Sequence, residues 1–403
     1  MYKKKWYFSI LMFCCLASVY AQETNDLKKF PAQISIVYPI GTHGRQSIEH
    51  AYNLSLNLFT GKVGRLNGLE INGLFGLCGG IAGIQTGGLG NVAGIVQGIQ
   101  MGGLFNLSED LKGIQTGGLV NHSNSVKGLQ IGGFGNNTTY EAKGIQIGGF
   151  GNRSCSGVRG MQLAGICNSS SKVTGLQISG IYNLTDYCPT AGVTGIQISG
   201  IYNIGNTLTG MQIGAYNRVQ TLRGIQIGIF SVNDTIEKGG SLSLVNIVKK
   251  GYYKEWELLF SDYANVVLSY KMGVQKFYTI YTAGVNFIGD NLWIAGIGFG
   301  NRTSIGNRFD FQPELVSFNY FPTNFKNIEN SFTTRLKFGF VYRLNEKYGL
   351  LLAPSVYFMN AKKDSNQNSE FYKLSPLGAL YTKGSDNRQT TIGVGISLGL
   401  SII

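Results

Sequence analysis

Gly144-Ile145-Gln146-Ile147-Gly148-Gly149-Phe150-Gly151-Asn152 decides the fold, because this nine-residue phrase recurs twelve times between residue 68 and about residue 246. Its pattern is Gly, aliphatic, Gln, any residue, small residue, Gly, apolar residue, any residue, Asn. The opening glycines are Gly68, Gly83, Gly98, Gly113, Gly128, Gly144, Gly160, Gly175, Gly195, Gly210, Gly224 and, in degenerate form, Gly239. They lie 14–16 residues apart except for one step of 20, from Gly175 to Gly195. A fixed period of this size denotes one small supersecondary unit tiled many times.

Within the unit, Ile145 and Ile147 face away from Gln146, as strand alternation requires, and Gly148-Gly149 favours a bend. Arg153 to Arg159 is polar and turn-like. Two all-β packings follow. In a β-solenoid, each Gly-rich unit of about 15 residues is one coil stacked on the next at about 4.8 Å. Ile84, Ile99, Ile114, Leu129, Ile145, Met161, Leu176 and Ile196 are then expected as an inner column. Asn91, Asn106, Asn121, Asn136, Asn152, Asn168, Asn183 and Asn203 are expected as an amide ladder. In a meander, each unit is one strand of a barrel, and neighbouring strands alternate in direction. The unit Gly210-Met211-Gln212-Ile213-Gly214-Ala215-Tyr216-Asn217 lacks one residue between Gln and Asn. In a straight strand that deletion sends Asn217 to the opposite face, whereas a glycine corner absorbs it, which favours the solenoid. The Gln and Asn rows read as structural, since identical residues repeated without variation satisfy a stack better than they build a binding site.

The ends bound the compartment. Lys3, Lys4 and Lys5, then the apolar Trp6–Val19 and the small Ala21, read as a signal peptide over residues 1–21, with Gln22 opening the mature chain. Its removal lowers the formal charge from +13 by three, to +10. The remaining basic residues form no long run, so nucleic acid is not an expected partner. No other apolar stretch is long enough for a transmembrane helix, which leaves a β-barrel as the spanning option. Cys78, Cys155, Cys167 and Cys188 remain after processing and permit three disulfide pairings.

The C-terminal third changes character. From Phe332 to Leu344, Phe332, Thr334, Leu336, Phe338, Phe340 and Tyr342 alternate with Thr333, Arg335, Lys337, Gly339, Val341 and Arg343. Further strands are expected at Tyr348–Met359, around Arg308–Leu315, and from Ile392 to Ile402, where aliphatics alternate with Gly and Ser. Long two-faced strands of this kind mark an outer-membrane-type antiparallel β-barrel. Upstream, Gln33–Ile40 and Tyr52–Phe59 read as two further strands, with the early one expected to close the barrel against the last. The domain reading is 1–21 signal peptide, 22–67 N-terminal strands, 68–246 repeat region and 247–403 barrel-like region.

The iterated G-x-Q-x-G-x-x-N unit, with the Gln33–Thr42 lead-in and the Gly239–Tyr253 exit, resembles the surface-repeat proteins of Bacteroidota and spirochaetes. The C-terminal strands resemble outer-membrane β-barrel proteins of Bacteroidota. The repeat resemblance covers about half the chain; it implies a place in the cell envelope and carries no activity, cofactor or catalytic residue.

The residues offer little chemistry. His43, His50 and His122 have no metal-ligand or charge-relay spacing. Gly395-Ile396-Ser397-Leu398-Gly399 matches a nucleophile elbow but sits in an alternating strand with no His or Asp after it. No catalytic, cofactor or metal residue is assigned. The expectation is a non-enzymatic outer-membrane surface repeat protein with a structural or surface-contact role and outer-membrane lipids as partner. The first alternative is a pore whose lumen is lined by Arg308, Asp310, Glu314, Arg335, Lys337 and Arg343. The second is a secreted adhesin binding a surface glycan or protein.

Overall fold

The computed structural model describes residues 27–185, 191–287, 292–322, 332–362, 379–384 and 388–403. The expected signal peptide and Cys188 lie outside them. The described chain is 83% strand and 2% helix, folded as a β-solenoid of about 11 turns and a closed barrel of 8 antiparallel strands. Contacts divide it into two units, Met1–Gly214 and Ala215–Ile403.

In the first unit, strands stack parallel and in register, which excludes the meander. Glu141–Gly148 pairs with Gly157–Ala164, which pairs with Lys172–Ser179, motif glycine on motif glycine and Gln on Gln. The second strand of each coil, such as Gly151–Ser154, stacks on its own counterpart Cys167–Ser170. The motif glycines are obligatory here. From Gly83 to Gly210 their φ runs from 131° to 159°, and a Cβ on most of them would lie 2.0–2.1 Å from the preceding glycine's carbonyl oxygen.

The interior reverses one expectation. Ile84, Ile114, Ile145 and Ile196 face outward and are exposed, while the motif Gln side chains from Gln85 to Gln212 are no more than 1% exposed. Strand alternation lets only one of two adjacent residues face in. The amides take that face because each bonds along the stack. From Gln212 down to Gln85, Nε2 donates to the Oε1 of the preceding coil at 2.7–3.0 Å. The expected Asn ladder is present with the opposite polarity. From Asn91 to Asn183, Nδ2 donates to the Oδ1 of the following coil at 2.8–3.0 Å. A second Nδ2 hydrogen is spent on a backbone carbonyl, as from Asn121 to Ile131 at 2.7 Å. Each buried amide left unmatched would cost about 1–3 kcal/mol, so the ladders are needed if the interior is to be polar at all. The apolar core comes from a different row, two residues before the motif glycine: Leu66, Ile81, Val96, Leu111, Val126, Ala142 and Val158.

The early strands are part of this stack. Lys28–Val37 runs parallel to the start of His50–Asn72, and Ile40–Gly41 folds back antiparallel over Ser35 and Val37. Thr42 N–H donates to the Ile34 carbonyl at 2.9 Å, so the outer edge there is covered. A 3₁₀ turn, Gly44–Glu49, follows.

The second unit begins with Tyr216–Lys250, which still carries repeat rows: Gln226 and Asn217 are buried. The one-residue deletion is absorbed at the Gly214-Ala215 bend, since Gln212 and Asn217 both face in. Residues of this strand pack on the barrel strand Phe277–Asn286, with Thr279 Oγ1 donating to the Ser243 carbonyl at 2.9 Å.

The barrel strands are β1 (Tyr253–Ser261), β2 (Val266–Val274), β3 (Phe277–Asn286), β4 (Leu292–Gly300), β5 (Phe309–Pro322), β6 (Phe332–Arg343), β7 (Tyr348–Lys362) and β8 (Arg388–Ile402). Each pairs with the next, and β8 pairs with β1 through Trp256↔Ile402 to Ser261↔Ser397. The barrel therefore closes on its own first strand. The expected closure by the N-terminal strand does not form, because that strand is used by the solenoid.

Candidate interaction surface

Each solenoid coil bends at the sixth residue of the motif, a glycine such as Gly118 or Gly133, and the apolar seventh residue stands at that corner. Phe59, Leu74, Leu104, Leu119, Phe134, Phe150, Ile181 and Ile201 occupy it and are 36–54% exposed. Their backbones form one unbroken column, each N–H donating to the carbonyl of the residue one coil earlier, through Leu89 and Ile166, at 2.7–3.1 Å. The rings of Phe134 and Phe150 stack with centroids 4.7 Å apart. Ten such rungs make a ridge about 40 Å long at strand spacing. The outward aliphatics Ile84, Ile114, Ile145 and Ile196 lie beside it. Monomeric soluble surfaces rarely carry a contiguous apolar strip of this size, which marks a contact surface. The repeat already contained it, but the assignment of the aliphatics to the interior concealed it.

On the barrel the outer face is apolar, and the interior combines ion pairs with an apolar cluster. Trp256, Leu268, Leu315, Leu336, Leu352, Val356, Ile396 and Leu398 point outward and are exposed. Inside, Glu255, Glu257, Lys271, Arg302, Asp310, Gln312, Glu314, Arg335 and Lys337 are all buried. They are mutually paired. Arg302 bridges Glu255 at 2.8 Å and Asp310 at 2.7 Å, and Lys337 reaches Glu314 at 2.8 Å. Lys271 is bound by Glu257 and Glu314, with Glu255 at 3.6 Å. Arg335 holds Asp262 through two hydrogen bonds, at 2.7 and 2.9 Å, and lies over the Tyr263 ring at 4.2 Å.

Of the residues expected in a lumen, Asp310, Glu314, Arg335 and Lys337 are inside. Arg308 is exposed and donates to the Tyr342 hydroxyl at 3.2 Å, and Arg343 sits at the edge, 3.4 Å from Asp310. An interior of eight strands is just wide enough for side chains to fill it, and here the ion pairs share it with a buried apolar cluster that includes Leu259, Val267, Ile280, Ile294, Val316 and Phe318. Glu255, Glu257, Lys271 and Arg302 were not foreseen. The alternation of Glu255 and Glu257 with Lys254, Trp256 and Leu258 is the signal that carries the first two.

Residues 275–276, 301–308 and 344–347 connect strands at the end that also holds Tyr253 and Ile402. Residues 262–265 connect β1 to β2 at the other end. Exposed aromatics mark both ends: Trp256, Phe309 and Tyr348 near the first, Phe260, Phe287, Trp293 and Phe332 near the second.

The other candidates converge on nothing reactive. Ser397 faces the barrel interior and shares a hydrogen bond with Ser261 at 2.7 Å. His43 and His50 flank Phe30 and Tyr52 with ring centroids 5.4 Å apart, and His122 meets Asn137 at 2.8 Å. Cys78, Cys155 and Cys167 are free thiols. Among the described residues no group of three or more His, Cys, Asp or Glu could hold a metal.

One buried acid stands in the solenoid. Glu70 occupies the motif Gln position of the first repeat and terminates the ladder, accepting from Gln85 Nε2 at 2.7 Å and Asn57 Nδ2 at 3.3 Å. Burial pushes its carboxyl up from 4.5 to about 7, against the hydrogen bonds from Gln85, Asn72, Ser55 and Asn57 that pull it down. Because the folded state holds this proton more tightly than the unfolded chain, stability falls as pH rises from about 4.5 through 7 and then levels. The total is about 3 kcal/mol at 1.36 kcal/mol per pK unit. Amide exchange across residues 50–90 is expected to quicken between pH 5 and pH 8 beyond the intrinsic base-catalysed increase. Glu70→Gln should remove that excess; an excess that survives the substitution refutes the assignment.

Compared with known proteins, the chain matches no family model, no curated protein and no solved structure.

Proposed function

We propose that this protein is an outer-membrane surface repeat protein, anchored by its barrel and presenting its solenoid for structural or surface contact. The observation that carries the reading is the apolar outer face of the barrel, set over an interior that encloses its ion pairs. In water this arrangement would expose the apolar face and bury the charges. In a bilayer that outer face meets lipid, and the ion pairs stay enclosed by the strands. The aromatic rims fit the same setting. The resemblance of the repeats to Bacteroidota and spirochaete surface-repeat proteins supports the envelope assignment, and the signal-peptide reading supplies the route.

The ion-paired interior argues against the pore reading. The test is fractionation: the mature protein should stay with the outer membrane through carbonate and high salt, and should migrate faster in unheated than in heated gel samples. Planar bilayers containing it should remain silent. Release by carbonate sinks the membrane reading, and steady conductance replaces the contact role with transport.

A further inference from the structure

Beside the apolar ridge, the outward face of the solenoid carries a run of cations. Lys112, Lys127, Lys143 and Arg159 each precede a motif glycine, and they stand on four consecutive rungs of one parallel ladder. Like charges on neighbouring strands repel, so the row raises the energy of the isolated fold unless an anion meets it. Glu141, one row away, reaches Lys143 at 3.1 Å and Arg159 at 2.6 Å. Lys112 and Lys127 are exposed and make no ion pair among the described residues. Two residues further along the same outward face come Ile114, Leu129, Ile145 and Met161, and beyond the glycine bend comes the ridge. A cationic row, an aliphatic row and an apolar ridge thus run parallel along one side of the coils.

We infer that this side of the solenoid docks on an anionic lipid surface, the ridge entering the acyl boundary and the cations meeting the phosphates. The inference rests on the membrane reading above and names the partner of the solenoid. Apolar burial and electrostatic attraction add at such an interface, which is the combination that peripheral membrane segments use. A second copy of the chain fits less well, since it brings the same cationic row and supplies no matching anionic one.

The test uses the full chain in nanodiscs, with a nitroxide at Phe134→Cys in a background of Cys155→Ser, Cys167→Ser and Cys188→Ser. A second sample carries the nitroxide at Leu398→Cys on the outer barrel face. In discs containing phosphatidylglycerol, the label at 134 should be reached by oxygen in preference to a water-soluble nickel chelate. That preference should be lost in phosphatidylcholine discs, and also when Lys112, Lys127, Lys143 and Arg159 are all changed to Gln. The Gln variant should keep the wild-type far-ultraviolet dichroism, because the four side chains are exposed. A label at 134 that nickel reaches freely in both lipids, while the label at 398 reports lipid, overturns the docking alone. A label at 134 shielded from both reagents in detergent assigns the ridge to a protein contact and likewise overturns it. If the label at 398 also reports water, the membrane reading falls first and the docking falls with it.

Discussion

Gly128→Ala is expected to unfold the central coils. At Gly128 φ is 144°, and an added Cβ would lie 2.0 Å from the Gly113 carbonyl oxygen and 2.9 Å from its carbon. Both objections are backbone, so no side chain can swing away. The obstructing strand is itself bonded in register to its neighbours and cannot retreat alone. Left-handed strain of about 1–3 kcal/mol adds to that overlap, and the sum reaches the exceptional range of single-site effects, beyond about 4 kcal/mol. Gly306→Ala is the control. Its φ of +88° carries the strain, but nothing lies within 4 Å of the new methyl, so a loss of only about 1–2 kcal/mol is expected. Urea unfolding followed by circular dichroism, with hydrogen exchange to locate the loss, compares them. Equal effects at the two sites would show that close stacking of the coils is not what requires the glycine column.

Lys271→Met is expected to cost the barrel about 3–5 kcal/mol, the range for removing one partner of a buried ion pair. The lysine is fully buried among Glu255, Glu257 and Glu314, and three carboxylates would be left around a thioether. Adding Glu257→Gln should recover a large part of the loss, because it removes one of the stranded charges while keeping the side-chain volume. Folding yield in detergent, read from the shift between unheated and heated gel bands, reports both variants. If Lys271→Met folds as well as the parent, the interior is hydrated and the filled-lumen description fails.

The architecture was legible to the extent that it depended on period. The 15-residue step and the deletion before Asn217 pointed to coils over a meander, and the alternation in Phe332–Arg343, Tyr348–Met359 and Ile392–Ile402 located barrel strands close to where they lie. Alternation alone could not say which face turns inward. Ile145 and Gln146 are equivalent to a period-two argument, and hydrophobicity favoured the wrong one. What settled the question was the hydrogen-bond capacity of an amide repeated at strand spacing, which an aliphatic lacks. The same ambiguity hid the ridge at Leu119 and Phe134. In the barrel, Arg308 and Arg343 were placed inside by the same alternation that placed Asp310 and Lys337, yet Arg308 precedes its strand and Arg343 is the last residue of its own, at the rim where water is accessible. The role of Lys28–Val37 was misread because strand pairing between distant segments leaves no local mark.

Stacked β-coils with raw ends are templates for fibre growth, since any free edge can recruit the next chain. Here the leading edge is folded over by Ile40–Gly41, and the amide relay stops at a carboxylate with no amide hydrogen to hand on. The trailing coil is occupied by Phe277–Asn286. The number of turns is therefore written once, in the length of the polypeptide, and one molecule cannot lengthen at the expense of another. A surface built this way has a set reach.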